Sequence, residues 1–359
     1  MNIAVLVSGG VDSAVALQLL KNEGHQLTAF YLKIWLEDEL AFLGTCPWQE
    51  DLSFVQKTCQ MLDIPLEIIS LQEEYHQKIV AYTINEVKQG RTPNPDILCN
   101  TLIKFGAFYD IAGHKFEKIA TGHYAKISSN GDEYILERSA DEFKDQSYFL
   151  AQLRPEQLKQ VLFPIGSYKK EEIRTLAHQF NLPSKDRKDS QGLCFLGTIK
   201  FREFIAHHVG TQEGPLVEFE TERKVGTHQG CWFYTSGQRQ GIGLSHGPWY
   251  VVGKNPATNT VFISKNYHTE DKLRNAFMVA EGNWFVKDFM SHQAQAHKNG
   301  TLFVKMRHGE QLYSCSIKQT ADGICVTLNE RDQGIAPGQF AVFYDGTRCL
   351  GSAAIVKTL

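Results

Sequence analysis

The sequence predicts an α/β fold with a parallel sheet in its first half and a β-rich second half. Three observations carry this. Strand-like and helix-like segments alternate up to about residue 200; short alternating apolar runs with Gly and Asn turns replace them beyond it; and a glycine pair, Gly9-Gly10, stands between the first strand and the first helix.

In order, strands are expected at Ile3 to Val7, Leu27 to Ile34, Leu66 to Leu71 and Lys118 to Thr121, separated by helices at Ser13 to Glu23, Leu52 to Leu62 and Tyr75 to Lys88. In the last of these Ile79, Val80, Ile84 and Val87 share a face, and Gly90 follows as the C-terminal stop. A further helix, Lys169 to Phe180, closes at Asn181 and Pro183. The β-rich half offers Trp249 to Val252, Val261 to Ser264, Thr301 to Met306, Leu312 to Ile317 and Ile324 to Leu328. Phe340 to Tyr344 and Cys349 to Ile355 then flank Asp345-Gly346 as a hairpin. Two small modules are expected to meet near residues 270 to 280.

With 359 residues and 42% hydrophobic content the chain can bury a substantial core in two or three domains. No apolar run is long enough to cross a membrane and no basic leader precedes the first one, so a cytoplasmic protein is expected. The eight cysteines are scattered without a C-x-x-C pair, which argues against a zinc knuckle, an iron-sulfur cluster or a disulfide framework. A net charge of -3 gives no global signal for nucleic acid, and residues 273 to 359, with nine Lys or Arg against seven Asp or Glu, are only mildly basic.

LVSGGVDS, Leu6 to Ser13, has the glycines of a phosphate-binding turn without a Walker lysine. Backbone N–H groups at Gly9 and Gly10 and a following helix N-terminus suit an anion, here the pyrophosphate of a nucleotide cut between its α and β phosphates. Ser8 and Ser13 add hydroxyls, and Asp12 is placed to hold magnesium or to position the loop. The bland alternative is a tight strand-to-helix turn. In GRTPNPDILCN, Gly90 to Asn100, two prolines stiffen the backbone against helix, and Cys99 then precedes a helix at Thr101 to Tyr109, a position that favours a thiolate. Read alone, Cys99 is equally a small buried hydrophobe. KDSQGLCFLG, Lys188 to Gly197, puts Cys194 in a polar loop downstream of Lys185, Arg187 and Lys188, a setting suited to sulfur exchange. Cys59, Cys231, Cys315, Cys325 and Cys349 read as core, and Cys46 as incidental.

Together with ATGHY (Ala120 to Tyr124), KDQSYFL (Lys144 to Leu150) and APGQFAVFY (Ala336 to Tyr344), these motifs occur in the order of the bacterial tRNA-specific 2-thiouridylases, which the chain resembles over nearly its whole length. The resemblance implies a PP-loop ATP-binding catalytic domain at 1–200, of the adenine nucleotide alpha hydrolase-like kind. It also implies a small central β-rich domain at 201–272 and a C-terminal β-barrel that binds tRNA at 273–359. It implies adenylation of the wobble uridine C2 oxygen in tRNAs for Lys, Glu and Gln, with ATP and magnesium, followed by sulfur replacement. Cys194 would carry a persulfide delivered by a relay protein or a cysteine desulfurase, Cys99 would be its partner cysteine, and Asp96 an acid or base.

By the same resemblance ATP lies against Leu6, Val7, Ser8, Gly9, Gly10, Val11, Asp12 and Ser13, with Leu32 and Gly122 at the adenosine. Asn94, Pro95, Asp96, His123, Lys144, Asp145, Gln146, Arg307, His308 and Gln339 would meet tRNA, and the enzyme would be a monomer. Leu32 stands where the family usually has methionine, and Gln191-Gly192-Leu193 varies the usual tripeptide before the cysteine. Each RNA contact has a plainer reading: His123 as a brace after its strand, Lys144 to Gln146 as a helix start, Arg307 and His308 as a solvated strand end. Three rivals remain: a PP-loop synthetase for a small carboxylate or amide, cluster-dependent thiolation, which the missing C-x-x-C disfavours, and a non-catalytic RNA-binding or sulfur-carrier protein.

Overall fold

The computed structural model describes residues 1–34, 48–131, 133–188, 200–267, 269–270, 274–332 and 334–359. Its first sheet is parallel, with strands β1 (Asn2–Leu6), β2 (Gln26–Lys33), β3 (Leu66–Ser70) and β4 (Lys118–Thr121); after the antiparallel hairpin β5 (Ala125–Asn130) and β6 (Glu133–Arg138) comes β7 (Val161–Leu162), giving the order β3-β2-β1-β4-β7. The chain builds outward from β1 to β2 and β3, then crosses to the other side of β1 to lay down β4. A crevice is therefore expected where β1 and β4 diverge at their carboxyl ends. Buried Ile3, Ala4, Val5 and Phe30 fill both faces of the central strands, as a sheet covered on both sides requires.

Helix Val11–Asn22 packs against helix Lys170–Gln179 through Ala14, Val15, Ile173 and Ala177, all buried. Pro95 opens the helix Pro95–Cys99, which continues without interruption through Asn100–Ala107 to Phe108–Ile111. The expectation that two prolines keep this segment out of helix is thus corrected. Proline at the first helical position loses only an N–H that has no intrahelical acceptor, and the Asn94 side chain caps the turn by accepting from the Ile97 N–H at 3.4 Å.

Beyond the helix Phe201–Val209, strands β8 (Gly214–Glu218), β9 (Lys224–His228), β10 (Tyr250–Asn255) and β11 (Thr260–Ser264) form a four-stranded sheet in the order β10-β11-β8-β9. The remaining strands are β12 (Arg274–Val279), β13 (Asn283–Trp284), β14 (Leu302–Lys305), β15 (Tyr313–Thr320), β16 (Gly323–Asp332), β17 (Phe340–Asp345) and β18 (Arg348–Thr358). β12, β16, β15, β14, β17 and β18 follow one another, and antiparallel pairing of β12 with β18 closes them into a six-stranded barrel. Closure removes the open edges that would otherwise template strand addition. The hairpin β5–β6 joins the barrel through the register pair Arg348↔Glu137, so the barrel is seated directly on the first sheet's side of the molecule.

Five of the buried-cysteine expectations can be checked. Cys59, Cys231, Cys315 and Cys349 are 3% exposed or less, whereas Cys325 is only half-buried. Burial raises the thiols of Cys59 to about 11 and of Cys315 to about 12, so these are inert at neutral pH.

Candidate active site

The glycine loop lies where the strand order places it. Gly9 adopts φ +79°, and a Cβ there would come within 2.5 Å of the Asp51 carbonyl oxygen, so only glycine fits. Ser13 Oγ donates to the Gly10 carbonyl at 3.1 Å and accepts from the Ser8 N–H at 3.2 Å, closing the loop on itself. The first intrahelical bond runs from Ala14 N to Gly10 O at 3.3 Å. The N–H groups of Val11, Asp12 and Ser13 therefore have no acceptor within the helix, and Gly10 brings no side-chain cap. A helix start of twelve residues left open in this way suits a phosphate.

The loop after β4 closes the other wall. A Cβ on Gly122 would meet Ser13 N at 2.7 Å and the Asp12 carbonyl carbon at 2.8 Å, so the two loops touch backbone to backbone. Tyr124, 2% exposed, donates its hydroxyl to Asp12 Oδ1 at 2.8 Å. His123 Nδ1 sits 2.7 Å from Thr121 Oγ1, and its ring is held neutral by burial and by the nearby Lys104. Leu32 is half-buried near the end of β2.

Two cations that the sequence reading left out of the site converge here. Lys170 Nζ bonds Asp12 Oδ1 at 2.7 Å and Oδ2 at 2.9 Å. Arg187, noted in the sequence only as upstream of Cys194, donates to the Gly9 carbonyl at 2.9 Å and to Asp51 Oδ1 at 2.7 Å. A phosphate turn without its own lysine was the signal to look for a cation elsewhere; Lys169-Lys170 at a helix start was visible but unplaced. Both carboxylate oxygens of Asp12 are thus engaged by the Lys170 ammonium, and one of them also by Tyr124. Among the described residues no three His, Cys, Asp or Glu side chains gather into a metal cage.

Cys99 is 1% exposed at the last residue of the helix Pro95–Cys99, in the second turn of the continuous helical run. The expected placement just ahead of a helix is corrected by the earlier start at Pro95. Asp96, half-buried, occupies the first turn, where the helix dipole favours its charge. Asn100 Nδ2 donates to the Asp96 carbonyl at 3.1 Å and to the Phe149 carbonyl at 3.0 Å. Cys194 and Cys46 lie outside the described residues. The described chain stops at Lys188, beside Arg187, which is fixed on the glycine loop.

The segment Lys144 to Leu150 binds these parts into one unit. Gln146 exchanges two bonds with Tyr124, accepting from its N–H at 3.0 Å and donating its own N–H to its carbonyl at 2.8 Å. Tyr148, 0% exposed, accepts from Asn94 Nδ2 at 3.3 Å and donates to the Phe340 carbonyl at 3.2 Å. Ser147 Oγ lies 3.1 Å from the Tyr344 hydroxyl. Asp145 is 1% exposed: it accepts from Lys305 Nζ at 3.0 Å, from Arg138 Nε at 3.1 Å and from the N–H groups of Ser139 and Ser147 at 3.2 Å. Burial pushes its carboxyl up, but Lys305, Ser147 and Arg138 outweigh that and hold it below the ordinary range.

A second junction gathers around Gly90 to Asn94. Gln339 donates to the carbonyls of Thr92 and Pro93 at 3.1 and 3.0 Å and accepts from Asn94 Nδ2 at 3.2 Å. Thr92 N donates to the Pro337 carbonyl at 2.8 Å, and a Cβ on Gly90 would strike Pro256 Cγ at 2.2 Å. Motifs 245 residues apart are thus in direct contact. Pro95 and Asn94 are buried. Further out, Lys144 is half-buried, Arg307 is held by Asp332 through bonds of 3.0 and 2.7 Å with its side chain 48% exposed, and His308 stacks on Phe149 at 4.6 Å. Burial and Lys305 hold His308 neutral.

Comparison with known proteins adds three family matches in chain order: the tRNA methyl transferase HUP domain over residues 1–198, the tRNA methyl transferase PRC-barrel domain over 202–265, and the aminomethyltransferase beta-barrel domain over 274–355. Among curated proteins, the tRNA-specific 2-thiouridylase MnmA of Porphyromonas gingivalis is 39% identical, covering 99% of both chains. The protein of the same name from Parabacteroides distasonis is 41% identical over 99% of both. The tRNA-specific 2-thiouridylase MnmA 2 of Bacteroides fragilis is 41% identical over 99% of this chain and 100% of its own.

Proposed function

Since the chain belongs to the family of tRNA-specific 2-thiouridylases, we propose that it is an ATP-dependent sulfurtransferase that 2-thiolates the wobble uridine of the tRNAs for Lys, Glu and Gln, acting in the cytoplasm as a monomer. The N-terminal family model carries a methyl transferase name. The relatives matched end to end are thiouridylases, and the two cysteine motifs favour that chemistry.

One observation carries the reading: the segment Lys144 to Leu150 joins the open glycine loop, the Cys99 helix and the barrel through Gln146, Tyr148 and Asp145. Nucleotide, sulfur chemistry and an RNA-sized surface are thereby held in one frame, as a reaction between a bound base and a bound nucleotide demands. A small-molecule synthetase has no need of that frame.

In this mechanism the loop Leu6 to Ser13, with Leu32 and Gly122 beside the adenosine, orients ATP so that the uracil C2 oxygen attacks the α phosphorus and pyrophosphate leaves. The open N–H groups at the start of helix Val11–Asn22 stabilise the departing charge. Magnesium, when bound, would supply charge to the phosphates, and no step here depends on it. The terminal sulfur of a Cys194 persulfide, loaded by a relay protein or a cysteine desulfurase, replaces the activated oxygen, which departs with AMP. Attack of Cys99 on the Cys194 sulfur frees the terminal sulfur and leaves a Cys99–Cys194 disulfide, which an external dithiol reduces.

The target base reaches the pocket by leaving its loop stack. Asp96, in the first helical turn, is the proton-handling group at that base, while Asn94 and Pro95 shape its pocket. Lys144, Arg307 and His123 face the RNA, His308 meets it as a neutral ring, and Asp145, Gln146 and Gln339 position those contacts from within.

The test combines the full-length protein, ATP, magnesium, a persulfide donor and unmodified tRNA, with nucleoside mass spectrometry. Wild type is expected to form 2-thiouridine only with ATP, and Cys194→Ser and Cys99→Ser to lose it by at least a hundredfold while still releasing pyrophosphate. Pyrophosphate release with a small acceptor and no sulfur in tRNA would refute the proposal in favour of a synthetase.

A further inference from the structure

The glycine loop has no lysine, yet a lysine stands at its mouth. Lys170 opens the helix Lys170–Gln179, whose Ile173 and Ala177 are locked against helix Val11–Asn22. Its backbone N–H is held by Asp141 Oδ2 at 2.8 Å, which fixes where the side chain starts. From there the ammonium reaches Asp12, the second residue of the helix whose open N–H groups form the anion site. We infer that Lys170 supplies the cation missing from the loop, moving from Asp12 onto the pyrophosphate half of ATP when nucleotide binds. This rests on the reading of the loop as the ATP site.

The ion pair is not what joins the two helices. It stands at the loop with its side chains 13% and 31% exposed, in reach of a ligand that enters there. Asp12 has a second partner in Tyr124, whose hydroxyl donates to Oδ1 at 2.8 Å. The helices are already joined by apolar packing. Without Lys170, by contrast, the Asp12 carboxylate would face a polyphosphate across a short gap and repel it. Arg187, the other cation at the loop, is committed to Gly9 and Asp51 and braces the backbone instead. A lysine is suited to the moving role: a point charge on a flexible stem that can exchange one anion for another.

Isothermal titration of the full-length protein at fixed magnesium with ATP, AMP and inorganic pyrophosphate, in the absence of tRNA, tests this. Lys170→Met is expected to weaken ATP and pyrophosphate about ten- to a hundredfold, the scale of one charge-assisted hydrogen bond, with AMP changed less than twofold. Lys170→Arg should recover most of the loss. The neutral pair Asp12→Asn with Lys170→Met keeps the helix packing, and its pyrophosphate affinity should stay low because the direct contact is gone. Restoration in that double variant would overturn the inference, leaving Lys170 as a screen for Asp12 alone. An unchanged pyrophosphate affinity in Lys170→Met, or a parallel loss for AMP, would also overturn it. If wild type itself binds neither ATP nor pyrophosphate, the reading of the loop falls and takes this inference with it.

Discussion

Lys305→Met is expected to loosen the barrel from the first sheet and to lower stability by about 3 to 5 kcal/mol, the usual cost of stripping one partner from a buried ion pair. Lys305 and Asp145 are both 0% exposed at their side chains, and the methionine would leave the carboxylate with Arg138 and two N–H groups. Limited proteolysis should show cleavage between the first sheet and the barrel at temperatures where wild type resists. Asp145→Asn combined with Lys305→Met should regain part of the loss, because no uncompensated charge remains. The pair also sets a pH limit. Its carboxyl is held below the ordinary range in the fold, so its stabilisation is complete above the unfolded carboxylate value of about 3.9 and fades as pH falls through the folded one. Acid melts of wild type should therefore steepen below about pH 4, and those of the neutral double variant should do so less.

Gly122→Val is expected to abolish measurable ATP binding. Its side chain would enter space occupied by the backbone of Asp12 and Ser13, with approach distances of 2.7 to 2.9 Å already at Cβ. Backbone has no rotamer to offer in relief, so the start of helix Val11–Asn22 must move and its N–H groups lose their aim. Relief of such overpacking costs about 1 to 3 kcal/mol, so the protein should still fold. A titration showing lost nucleotide affinity with a melting temperature a few degrees lower would bear this out; wild-type affinity would show that the two loops are not a single wall.

The strands of the first sheet and of the barrel were readable because their apolar runs are short, bounded by turn residues, and set by local rules. Leu27 to Ile34, Lys118 to Thr121 and Phe340 to Tyr344 fall within two residues of the observed β2, β4 and β17. The hairpin β5–β6 escaped because its faces are mostly polar: Ser128, Ser129 and Asn130 carry no alternation. Its reason to exist is the barrel it joins. Helix Phe289–Lys298 escaped because only Phe289, Gln293 and Ala296 are buried on it, and the surrounding texture suggested strands. In the site, the glycine loop was legible in local sequence. Lys170 and Arg187 were not, since their significance comes from partners 158 and 178 residues away. Asp145 shows the reverse: a residue expected at an RNA surface is enclosed by Lys305, 160 residues downstream, and no local pattern records that.

That separation has a consequence for how the chain is made. At ribosomal rates of about 5 to 20 residues per second, Asp145 leaves the synthetic machinery some ~10 to 30 s before Lys305, and Asn94 waits longer still for Gln339. During that interval the nascent first sheet carries a charge with half its complement and a wall of Tyr148, Leu150 and Leu153 with nothing seated on it. By making the frame around Cys99 depend on Gln339 and Phe340, among the last residues to emerge, the fold completes that wall only once the barrel is also complete.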